Sequence, residues 1–268
     1  MNAPIGIFDS GMGGLTVAKA VKQLLPHEDI IYFGDTAHFP YGDKSASALK
    51  AYSKKITRFL LDKGCKVILI ACNSASSAAF EEVKHMAEGK AFVLDVINPV
   101  IAYASYKYDA QTIGLIGTKR TISSNSYYLK LQASNPSIHL KSLATPLFAP
   151  MIEEGFASTD VSKKVIEAYL SDERTQGIAA LILGCTHYPL IKKEIDLYYQ
   201  NKIDVIDSSD VIAQTLLNQL KAQNRLNSEK HKASYEFYVS DYTASFETST
   251  KVFFGEQVIL EQVDLHTV

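Results

Sequence analysis

Cysteine is scarce in this chain: Cys65, Cys72 and Cys185 are the three among 268 residues. They are too few and too scattered for a disulfide framework, and no pair has metal-site spacing, so a cysteine-stapled or metal-stapled module is excluded. A surplus of charge is missing too. The 27 Lys and Arg residues stand against 29 Asp and Glu, a formal net charge of -2, and no basic stripe interleaves with aromatics, so a nucleic-acid partner has no support. No apolar stretch approaches the roughly 20 residues that cross a bilayer, which argues against a membrane protein. The opening "MNAPIGIFDSGMGG" has neither the basic start nor the cleavage site of a secretory leader, so a cytoplasmic location is expected.

What remains is a chain of one or two globular domains, at roughly 100–200 residues per domain, with 47% hydrophobic residues. Short apolar runs alternate with longer amphipathic stretches, the pattern of βαβ units around a parallel sheet, so the fold class is α/β. Strands are expected at 5–8, 30–33, 67–71, 91–95, 112–116, 140–143, 180–183 and 205–207. Leu49, Tyr52, Ile56, Phe59 and Leu60 recur at helical spacing and predict a helix over 46–63, with Gly64 as its stop. Val211, Ile212, Leu216, Leu217 and Leu220 mark another, with Ser208 or Ser209 as N-cap. The polar stretch "NRLNSEKHKAS" reads as a surface linker; after it come a strand "YEFYVS", a helix over 246–254 and a closing strand around 258–265.

The two apolar runs that end in cysteine are laid out alike. "VILIACNSAS" and "LILGCTHYPL" each stop at a small residue, a cysteine and small polar followers. "IGIFDSGMGG" and "IGLIGTKRT" also resemble each other, which suggests two α/β halves, each with one strand-end cysteine. Ligands of open α/β sheets bind beyond the carboxyl ends of the strands. A thiol just before a helix start is expected to have a lowered pKa, because unpaired N–H groups and the helix dipole favour the thiolate. Cys65, in "DKGCKVIL", has no such neighbours and reads as a small buried hydrophobe. Two thiols flanking one cleft suit inversion at a carbon: one removes a proton, the other delivers one to the far face. "GMGG" lacks the full G-x-G-x-x-G spacing of a dinucleotide site and reads as a tight strand-to-helix turn.

Together "IGIFDSGMGGLTV", "YFGDTAHFPYG", "ILIACNSAS", "LILGCTHYPL" and "YVSDYTASFETSTKVFFG" resemble the glutamate racemase family of the aspartate/glutamate racemase superfamily, over essentially the whole chain. That resemblance implies an enzyme that needs no cofactor or metal and makes D-glutamate for peptidoglycan and cell-wall synthesis. It implies two similar α/β domains with mainly parallel sheets facing across a central cleft: 1–98 plus 207–268, and 99–206. Cys72 and Cys185 match the catalytic pair, acting on the D- and L-enantiomer. Asp9 would assist Cys72, and His187 would assist Cys185. Glu153 matches a further acidic residue, with Glu154 an adjacent alternative. Substrate contacts are expected from Asp9, Ser10, Pro40, Tyr41, Gly42, Asn73, Ser74, Thr118, Thr121, Thr186 and His187, several at helix N-termini, where anions are favoured.

The chain departs from the family pattern at Ser74, where threonine is usual, and at His38-Phe39, where an arginine-containing pair is usual; the second bears on the charge of the cleft mouth. The substrate is expected to be a small molecule, and the resemblance leaves monomer and homodimer both open. Two rival readings fit the residues less well. An aspartate racemase would carry Thr-Glu after the second cysteine, where this chain has Thr186-His187. A non-catalytic amino-acid-binding regulatory protein would have no use for paired proton carriers.

Overall fold

The computed structural model describes residues 2–265. The chain begins β1 (Ile5–Asp9), α1 (Leu15–Leu24), β2 (Ile30–Gly34), α2 (Ala46–Asp62), β3 (Val67–Ile70), α3 (Asn73–Ala87), β4 (Phe92–Asp95) and α4 (Asn98–Lys107). It continues β5 (Thr112–Gly117), α5 (Lys119–Ser123), α6 (Ser126–Ser134), β6 (His139–Ala144), α7 (Phe148–Glu153), α8 (Asp160–Leu170), β7 (Ala180–Gly184), α9 (Lys192–Tyr198) and β8 (Asp204–Ile206). It closes with α10 (Ser208–Ala222), β9 (Tyr235–Val239), α11 (Ala244–Phe254) and β10 (Glu261–Gln262).

These strands form two parallel sheets, as the α/β reading expects. The six-stranded sheet has the order β10-β9-β2-β1-β3-β4, and the four-stranded one β6-β5-β7-β8. Pairings such as Ile5↔Ile30 and Ile113↔Ala180 set their registers. Helices cover both faces, so β1, β2 and β7 are buried along their whole length, and their continuous apolar runs follow from that. Although they come last, β9 and β10 return to the first sheet, β9 pairing with β2 from Ile30↔Tyr235 onward. Among the described residues no helix is long and apolar enough to cross a membrane.

The helix over 46–63 forms where its periodicity says. Ser45 caps it by accepting the Ala48 N–H at 3.2 Å, and it ends before Gly64, whose φ of +75° suits glycine. Its apolar stripe of Leu49, Ile56, Phe59 and Leu60 is buried. Besides one-residue shifts at several strand ends, three features near the end of the chain differ from expectation. The cap of α10 is Asp207, not Ser208 or Ser209: its carboxylate accepts the Ser209 N–H at 2.8 Å, a stronger bond than a hydroxyl would make. α11 starts at Ala244, because Thr243 takes the Phe246 N–H. The closing strand shrinks to Glu261–Gln262, the two residues that pair with β9. The polar linker is tied down more than its composition suggests. Lys66, 2.6 Å from Glu28, also donates to the carbonyl of Arg225 and to Asn227 Oδ1.

Asp95 ends β4 fully buried, one carboxylate oxygen accepting the Asn98 N–H at 3.0 Å and the other without a partner. Burial pushes its carboxyl up to about 6, against the pull of the Asn98 N–H and of Lys130. A raised carboxyl binds its proton more tightly in the folded chain, so this residue costs stability as pH rises from about 4 through 6. Asp95→Asn should therefore stabilise the protein by about 3 kcal/mol at pH 8 and hardly at all at pH 4. Denaturant melts at the two values check this, and an equal effect at both would refute it.

Candidate active site

The glycine turn after β1 places the first carboxylate. Asp9 ends that strand with no exposure, and its Oδ2 accepts the N–H groups of Gly11 at 3.2 Å and Gly14 at 2.9 Å, while Oδ1 has no partner. A side chain at Gly14 would lie 2.5 Å from Asp9 Cβ, so only glycine lets the turn close over it. Burial raises the Asp9 carboxyl, while the positive charge of His187 and the turn N–H groups pull the other way.

Cys72 follows β3 as the N-cap residue of α3, 6% exposed. Its thiol does not follow the expected lowering. Burial, then the nearby Asp9 and Cys185, push it well above the ordinary thiol value, outweighing the Ala75 N–H and the Ser10 hydroxyl. Desolvation in a site closed to water exceeds what a few helix-terminal dipoles return. Cys72 therefore rests as a thiol.

Cys185 follows β7 in the other sheet. It does not precede an α-helix: Thr186 and His187 lead into a 3₁₀ turn, Tyr188–Ile191, and α9 starts only at Lys192. The charge beside this thiol comes from a side chain instead. His187 Nδ1 lies 3.6 Å from Cys185 Sγ, and Nε2 lies 2.6 Å from Glu153 Oε1. Burial opposes the charged imidazole, but its bonds to Cys185 and Glu153 prevail and hold it well above the ordinary histidine value. With both ring nitrogens donating, the imidazolium sets a positive charge beside the Cys185 sulfur. Glu153 is thereby distinguished from Glu154, which is exposed. Phe253 of α11 meets the imidazole edge-on at 5.3 Å, and a side chain at Gly13 would lie 2.4 Å from its Cε1.

Both thiols line one cavity of about 210 Å³. Ser10, Pro40, Tyr41, Gly42, Asn73 and Ser74 line it beside Cys72; Thr118, Glu153, Thr186 and His187 line it beside Cys185. Two expected contact residues sit behind the wall. Asp9 lies under the glycine turn, and Thr121 is 1% exposed, its hydroxyl 3.1 Å from that of Thr118. The two sides are stitched together by Ser74 Oγ to Thr118 Oγ1 at 3.0 Å and by Thr16 Oγ1 donating to the Thr186 carbonyl at 2.9 Å.

The departure at His38-Phe39 resolves into separate roles. His38 bonds Asp35 at 2.8 Å and stacks on Tyr52 at 3.9 Å, while Phe39 lines the cavity. Charge at the mouth comes from Lys119 and Asp43, 4.0 Å apart. Sequence reading missed Thr145, Pro146, Ala149, Pro150 and Tyr188, which complete the wall. Nothing in "ATPLFAP" marks the first four, which the proximity of α7 to the 3₁₀ turn brings in; Tyr188 lies inside "LILGCTHYPL", three residues past Cys185. Cys65 stays apart, buried, its thiol pushed up to about 12, mainly by burial. Among the described residues no cluster of three or more His, Cys, Asp or Glu could hold a metal ion.

A family model described as Asp/Glu/hydantoin racemase matches residues 15–216. A glutamate racemase of Aquifex aeolicus (strain VF5) is 41% identical over 254 residues, 95% of each chain. The solved glutamate racemase of Francisella tularensis subsp. tularensis SCHU S4, in complex with D-glutamate, is 40% identical with a TM-score of 0.92, over 100% of this chain and 99% of that one. The solved glutamate racemase of Thermus thermophilus, in complex with β-chloro-D-alanine, is 35% identical with a TM-score of 0.89, at the same coverage.

The site's electrostatics can be checked without any substrate. The stability that His187 gains from its raised value is full below the ordinary histidine pKa and fades as pH climbs through the raised one. Glu153→Gln should lower the pH at which the imidazole titrates. A nitrogen-detected NMR titration of His187 measures this; an unmoved midpoint would exclude Glu153 as its charge partner.

Proposed function

The chain belongs to the Asp/Glu/hydantoin racemase family, and from that premise we propose that its cleft interconverts L- and D-glutamate by proton transfer between two cysteines, without a cofactor. The observation that carries this is the pair of thiols, Cys72 and Cys185, rising from strand ends of different sheets to line one small cavity. Their neighbours differ in sign: a carboxylate, Asp9, beside Cys72 and an imidazolium, His187, beside Cys185.

That difference assigns the resting proton. Starting from L-glutamate, Cys185 as thiolate takes the Cα proton, and the C–H electron pair moves into the adjoining carboxylate system. The Cys72 S–H then delivers its proton to the opposite face, leaving D-glutamate, a Cys185 thiol and a Cys72 thiolate. From D-glutamate the roles swap, with Asp9 assisting Cys72. His187 steadies the charge on Cys185, and Glu153 holds His187 charged and oriented. Ser10, Asn73, Ser74, Thr118 and Thr186, with the Pro40-Tyr41-Gly42 loop, grip the substrate's carboxylates, helped by the N-terminus of α3. Thr121 acts by holding Thr118.

Glutamate is favoured over aspartate because His187 stands where aspartate racemases carry glutamate. A division into 1–98 plus 207–268 and 99–206 fits this scheme, each unit bringing one cysteine, and the strand orders support it. The product is the D-glutamate that the resemblance assigns to peptidoglycan.

Purified protein, with no cofactor added, should racemise glutamate and, in heavy water, place deuterium at Cα of the product. Cys72→Ala and Cys185→Ala should each lower turnover by about a thousandfold or more. Optical rotation and proton NMR follow both. Binding of glutamate with no turnover, robust activity in either variant, or faster turnover of aspartate would sink this reading.

A further inference from the structure

Asn73 starts α3 at the wall of the cavity, 3% exposed, and its amide is only half satisfied. Its Oδ1 accepts the Tyr127 hydroxyl at 2.7 Å, and its Nδ2 has no partner. Tyr127 belongs to α6, which lies in sequence between β5 and β6 of the other sheet, and is 1% exposed. A second hydrogen bond and a ring contact also join these helices: Ser126 Oγ donates to the Ser77 carbonyl at 3.3 Å, and Lys130 lies 5.6 Å over the ring of Phe80.

We propose that Tyr127 is a positioning residue that locks the Asn73 amide with its donor side free for a substrate carboxylate, through a bond that joins the two halves of the molecule. An amide can present either its oxygen or its NH₂, and the two faces have opposite preferences for an anion. With the Tyr127 hydroxyl donating to Oδ1, the amide is held with its NH₂ on the other side. Burial, together with the charges of Asp95 and Cys185, pushes the Tyr127 phenol up, so it stays a donor. An unsatisfied buried donor is costly to leave, and a substrate carboxylate is the acceptor that would repay it. Because the lock and the amide come from different halves, the donor is presented only when α6 lies against α3.

The inference rests on the glutamate reading, and the experiment separates the two. Wild type, Tyr127→Phe, Asn73→Ala and the double variant are assayed for glutamate racemisation in both directions. Tyr127→Phe should raise KM about tenfold with kcat within about threefold, the signature of a grip felt equally in ground and transition states. In the Asn73→Ala background the same change should alter KM by less than about twofold, because its effect runs through the amide. An unchanged KM in Tyr127→Phe, or KM factors that multiply in the double variant, overturns the proposal. Should Tyr127→Phe fail to fold, Asn73→Asp serves instead. It keeps an acceptor for the phenol but replaces the free donor, and must raise KM as far as Asn73→Ala does; a near-normal KM there overturns the proposal. Wild type that does not turn over glutamate fails the underlying reading and this inference with it.

Discussion

A thiol shut away from water holds its proton unless a positive charge is kept beside it, and the cleft supplies that charge on one side alone. Cys185 has the imidazolium of His187 at 3.6 Å, itself held by Glu153 at 2.6 Å. Cys72 has a carboxylate for a neighbour and is pushed further toward the thiol. In the proposed scheme one side receives and the other gives. A site built with the same charge beside both sulfurs would hold two thiols or two thiolates, and neither state moves a proton across a carbon. The mirror relation of substrate and product is met by similar backbones, while direction is kept distinct by unlike partners.

The halves are not independent shells around this pocket. Gly13 from the first sheet's turn lies against the His187 ring, and Phe253, near the end of the chain, meets its edge. Thr16 bonds the Thr186 carbonyl, and Ser74 meets Thr118. The imidazolium beside Cys185 is therefore oriented partly by the half that carries Cys72. The loss of a methyl at Ser74 is compatible with this, since the hydroxyl is the part that bonds.

Most of the strand framework was legible because β1, β2, β3 and β7 are buried along their length and so read as unbroken apolar runs. The cysteines stood out because polar residues follow them at strand ends. Spacing alone could not choose between Glu153 and Glu154; burial against His187 does. The expected helix start after Cys185 failed because Tyr188-Pro189 continues into a tight 3₁₀ turn. The lowered thiol at Cys72 failed for another reason: local pattern shows a helix terminus but not how completely the surrounding chain excludes water. Thr145, bonded to Tyr188 at 2.7 Å in the wall, depends on a contact between residues more than forty apart and leaves no local mark.

The first sheet is finished by the last part of the chain. β2 has β1 on one flank and β9 on the other, and β9 begins at Tyr235. During synthesis, ribosomes release Ile30–Gly34 long before that partner exists. Until then β2 is a bare, wholly apolar margin with open backbone donors and acceptors, the kind of surface that joins neighbouring nascent chains. The intervening four-stranded sheet must be made while this margin waits, so crowding on a polysome and the promptness of chaperone cover bear on yield more heavily than the finished fold suggests.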